Sequence, residues 1–175
     1  MRNRAPSARG GFTLIELLVV FAVIMVIAGM LIPLFLDAMN KARQRKTMAE
    51  VHSLGKAMMS WVTDMSGAGA AGAGATMIQM SDFDGPIAFS DLEVLLVTQY
   101  IQDLPRTDGW RQPIEAYLDQ QASGSTNLIA VRSSGHDGLF DGDSYVIGPF
   151  QSNLYERDIV WADGFFVRWP ERIAP

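Results

Sequence analysis

Residues 10–36 read GGFTLIELLVVFAVIMVIAGMLIPLFL. Leu17 to Leu36 form 20 consecutive residues without a charge. As a helix this run covers roughly 30 Å, one hydrocarbon core. A basic flank precedes it in Arg2, Arg4 and Arg9, and a second follows in Lys41, Arg43, Arg45 and Lys46. The first flank is expected to stay cytoplasmic. A secretory signal is the plain alternative, but the run exceeds a usual signal core and Ile32-Pro33-Leu34-Phe35 offers no small-residue cleavage site. A simple signal anchor leaves Gly10-Gly11 and Glu16 without a role.

The apolar pattern continues outward. Met48, Val51, Leu54, Met58, Trp61 or Val62, and Met65 recur at helical spacing. Such a stripe is a core face for a following domain, with Gly55 a minor flaw in it. Residues 12–65 are thus expected to form one helix of roughly 80 Å. His52 lies beside the stripe and reads as structural. Ser66–Ala75, SGAGAAGAGA, reads as a flexible linker. It lacks the lysine and hydroxyl of a phosphate loop.

Composition bounds the remainder. The chain has 175 residues, two His, no Cys and a net charge of −5. From residue 76 onward there are 6 Lys+Arg against 15 Asp+Glu. Nucleic acid is excluded as a partner, because phosphate contacts need a basic surface. Ser90-Asp91-Leu92-Glu93 reads as a capping box opening a helix to about Tyr100, with Leu92, Leu95, Leu96 and Ile101 inward. Strands are expected at Ile114–Leu118 and Leu128–Val131, joined through Gln120–Thr126. Ile159–Trp161 and Phe165–Trp169 flank the turn pair Asp163-Gly164 as a hairpin. The fold class is α+β: a long N-terminal helix whose outer half packs on a small antiparallel sheet.

Gly11-Phe12-Thr13-Leu14-Ile15-Glu16-Leu17-Leu18-Val19-Val20 resembles the processing site of type IV pilins and type II secretion pseudopilins. The resemblance extends through Pro33. It implies a leader of residues 1–11, cut by a prepilin peptidase after Gly11, with N-methylation of the new N-terminus at Phe12. It also implies that Glu16 pairs with the Phe12 amine of a neighbouring subunit. Read alone, Glu16 equally fits a carboxylate snorkelling to the interface. Pro33 clashes with the Gly29 carbonyl and marks either a kink or a point where the helix loosens on assembly.

Ser134-Gly135-His136-Asp137-Gly138-Leu139-Phe140-Asp141-Gly142-Asp143 places three carboxylates among glycines. By itself this is either a solvated turn or a set of hard oxygen donors suited to calcium. The order Leu104-Pro105, Asp108-Gly109-Trp110, Pro113, Ser134–Gly138 and Asp158–Trp161 is similar to the major pseudopilin of type II secretion. That resemblance implies a calcium ion held by Asp137 and Asp158, with Asp141, Asp143 and Ser134 as further candidates.

The expected organisation is therefore a leader (1–11), a membrane or filament-core half-helix (12–40), an amphipathic half-helix (41–65), a linker (66–75) and an acidic domain (76–175). The expected protein is a non-enzymatic major pseudopilin of the bacterial inner membrane, with its acidic domain in the periplasm. Its partners are then copies of itself, the prepilin peptidase, the assembly platform and minor pseudopilins. A type IV pilin for adhesion or motility, or a membrane-anchored calcium-binding domain that never polymerises, fits the first residues as well. Ser134, His136 and Asp137 are too close in sequence to form a triad readily on one loop.

Overall fold

The computed structural model describes residues 11–66, 77–83, 85–119 and 128–171. Residues 1–10 of the expected leader, the expected linker beyond Ser66 and the connection 120–127 lie outside the described residues. The chain divides into two compact units, Met1–Ala38 and Met39–Pro175.

The first unit is the N-terminal part of helix α1 (Leu14–Ser66). Its surface is apolar all round, and every residue from Gly11 to Leu36 is exposed except the half-buried Ala28. A helix apolar on all faces is stable in water only when something covers it. Among the described residues, α1 is the single helix long and apolar enough to cross a membrane. Helical structure continues through Pro33, which has no N–H to donate to Gly29.

In the second unit, the outer part of α1 packs on a sheet. The order is β2 (Ile114–Leu118), β3 (Ile129–Ser133), β6 (Ile159–Ala162), β7 (Phe165–Pro170) and β5 (Gly148–Phe150). All pairs are antiparallel except β5 with β7. A second, two-stranded sheet joins β1 (Met77–Gln79) to β4 (Ser144–Val146). Strand alternation sends Ile114, Ala116, Leu118, Ile129, Val131 and Trp161 to one face. There they meet Val51, Leu54, Met58 and Val62 of α1, together with Leu92 and Leu96 of α2 (Phe89–Leu96). The helical stripe and strands β2, β3, β6 and β7 were legible; Met65 lies where no side chain is described. Each large side chain buried here contributes about 1.5–3 kcal/mol. The other face buries Tyr117, Ala130, Val160 and Val167 under Met80, Phe83 and Tyr145. Both faces are covered, so every residue of β3 is buried.

Several local expectations need correction. α2 starts at Phe89 after an Ala88 N-cap, with no side-chain cap. Ser90 bonds Asp91 instead, and Glu93 pairs with Arg106. The helix stops at Leu96, because Thr98 takes a positive φ of 82°. Strands β4 and β5 lie in a stretch where no strand was expected. The Asp163-Gly164 hairpin forms as its residues require, with φ of 44° and 104°. His52 stacks on Phe166 with ring centres 5.9 Å apart.

Candidate functional site

The N-terminal segment is built around a reciprocal cap. Thr13 precedes the first helical residue, and Glu16 is the third within the helix. Glu16 Oε2 accepts the Thr13 N–H at 2.8 Å and the Thr13 hydroxyl at 2.8 Å. The Glu16 N–H donates back to Thr13 Oγ1 at 3.3 Å. This is a capping box, and Thr13-Leu14-Ile15-Glu16 carries its spacing openly. The reading of Glu16 as an intersubunit group had passed over it. Phe12 lies just outside the helix and is 78% exposed. A Cβ on Gly11 would meet nothing within 4 Å, so this backbone is open on all sides.

The acidic loop is organised differently from expectation. Asp137 is exposed and its Oδ1 accepts the Leu139 N–H at 3.1 Å, a turn closed on itself. Asp158 is buried elsewhere. Its Oδ2 accepts the Tyr145 hydroxyl at 2.6 Å and the Asp141 N–H at 2.9 Å. Asp141 returns the contact by accepting the Asp158 N–H, and pairs with Arg157 at 2.9 Å. Asp143 pairs with Arg132 at 3.2 Å. Ser134 is buried behind β3.

Calcium is therefore a correction. Among the described residues, no group of three or more His, Cys, Asp or Glu side chains could hold a metal ion. Asp137, Asp141, Asp143 and Asp158 do not converge on one point. Two of them are neutralised by arginines, a third closes its own turn, and the fourth is bonded to Tyr145 and Asp141.

The group that organises this region is Arg132, which the sequence reading had passed over. Its Nε and Nη2 bond Glu115 at 2.9 and 2.8 Å, its direct register partner on β2. Its Nη1 reaches the Gly142 carbonyl, Asp143 and the Tyr145 oxygen, each at 3.2–3.3 Å. The guanidinium carbon lies 3.8 Å from the Phe140 ring centre. The signal was a lone arginine inside the apolar strand IAVRS. Glycines let the loop lie close. Gly135 (φ 69°) sits where a Cβ would press on the Tyr155 and Arg157 carbonyls at 2.8 Å.

A second turn ties the domain to α1. Asp108 Oδ1 accepts the N–H groups of Trp110 and Gln112, and its Oδ2 accepts the Ser133 hydroxyl at 2.7 Å. The Gly109 N–H donates to Thr47 on α1 at 2.9 Å. A Cβ on Gly109 would overlap the Arg43 carbonyl, so only glycine admits this approach.

Burial pushes the Asp158 carboxyl up from 3.8 to about 6, against the lowering effect of the Tyr145 and Asp141 hydrogen bonds. Its Oδ1 is buried with no hydrogen-bond partner among the described residues. Between pH 3.8 and about 6 the folded chain holds a proton the unfolded chain has released. Stability from this group is therefore full at the acid end and lost as pH rises through about 6. Melting curves across this range should show Asp158→Asn losing on the order of 1–2 kcal/mol of pH dependence relative to the parent. Identical pH profiles would contradict the assignment.

The chain matches the family model described as a prokaryotic N-terminal methylation motif over residues 6–32. No curated protein and no solved structure matches it. The matched stretch contains Gly11, Phe12 and Glu16 and most of the apolar run. By this motif, its long apolar helix and its α+β fold, the chain is a pilin-like structural subunit carrying the prepilin-type N-terminal methylation motif.

Proposed function

We propose that the chain is a pseudopilin of a type II secretion system. Prepilin peptidase cleaves it after Gly11 and methylates Phe12. The apolar helix then holds it in the bacterial inner membrane with the acidic domain in the periplasm. The assembly platform and minor pseudopilins start a filament of this subunit, whose growth drives folded cargo outward. The subunit itself catalyses nothing. The observation that carries the reading is the bare, all-round apolar helix bearing one carboxylate at its start, most of it within the methylation motif. Lipid covers such a helix before assembly, and its neighbours cover it afterwards. The order of motifs in the acidic domain supports secretion over a motility or adhesion pilus.

Glu16 has two successive partners in this scheme. In the free subunit it caps its own helix through Thr13. In the filament the Phe12 ammonium of a neighbour offers a full charge in place of two dipoles, and it does so in a low dielectric. Mass spectrometry of the mature chain is expected to find N-methylated Phe12 as the first residue. Glu16→Gln should be processed normally, yet reduce the sheared filament fraction by about tenfold or more at equal chain level. An N-terminus elsewhere removes the processing step, and normal filaments in the variant remove the assembly step. Deleting the gene, with secretion and twitching scored separately, distinguishes the secretion role from a pilus.

A further inference from the structure

We draw no further inference here: the strongest candidate, the buried Asp158 carboxylate beneath the 134–143 loop, whose Oδ1 has no hydrogen-bond partner among the described residues, belongs to the site already described, and nothing beyond its titration shows what that oxygen would meet.

Discussion

Arg132→Ala is expected to destabilise the acidic domain by about 3 kcal/mol, near the lower end of the cost of removing one partner from a buried ion pair. At this chain size that is a fall of about 10 °C in melting temperature. The side chain is 8% exposed, and its guanidinium serves Glu115, Asp143, the Gly142 carbonyl and the Tyr145 oxygen at once. Removing it leaves the partly buried Glu115 carboxylate uncompensated beside Tyr117, whose hydroxyl already bonds Glu115 at 2.7 Å. It also strips the Phe140 ring of its partner and releases the 134–143 loop from the sheet. Most of the cost comes from Glu115, since Asp143 is well exposed and an exposed pair contributes little. Arg132→Lys should recover only part of the loss, because an ammonium cannot fork between Glu115 and Tyr145. Thermal unfolding of the full chain in detergent measures the loss. Hydrogen exchange should show the loop amides exchanging first. A melting temperature within about 2 °C of the parent would mean the loop is held by other contacts.

The second large effect is at Gly55. By helix propensity alone, Gly55→Ala should gain about 1 kcal/mol. The expected result is the opposite. A Cβ at Gly55 would overlap the six-membered ring of Trp161, which is fully buried on β6 and pressed on this turn of α1. Overpacking of this kind costs about 1–3 kcal/mol, and Gly55→Val should cost more than Gly55→Ala. Ser53→Ala, exposed on the same helix, should change stability by no more than about 0.5 kcal/mol. Combining Gly55→Ala with Trp161→Leu should show positive coupling, since the smaller side chain clears the overlap. A stabilised Gly55→Ala variant would mean that the helix and sheet are farther apart than described.

These two residues mark where local reading stopped. Gly55 appeared as a blemish in a helical stripe, because propensity sees only the helix and not the indole that lies against it. Arg132 drew no attention because it is one arginine in an acidic domain. Its importance follows from register with Glu115 and from the return of residues 140–145 across the strand. The calcium assignment to Asp137 and Asp158 failed for the same reason. Carboxylate order along the chain says nothing about which partners other segments bring alongside, here Tyr145 for Asp158 and Arg132 for Asp143. Strands β4 and β5 were missed because they are three residues each and pair with β1 and β7 far away. The α2 start shows tertiary contacts overriding a motif, with Glu93 drawn to Arg106. The Thr13–Glu16 cap shows the reverse, a motif present in the letters and realised unaided.

The sequence by itself determined the apolar helix, the methylation motif at its start, the stripe from Val51 to Val62 and the hairpin at Asp163-Gly164. Each depends on composition or on neighbours within a few residues, and short-range sterics and partition into apolar surroundings act on those directly. Tertiary structure alone decided the arginine partners of Glu115, Asp141 and Asp143 and the need for glycine at positions 55 and 109. Those depend on surfaces brought together from distant parts of the chain, where an ångström of separation changes a contact from favourable to forbidden.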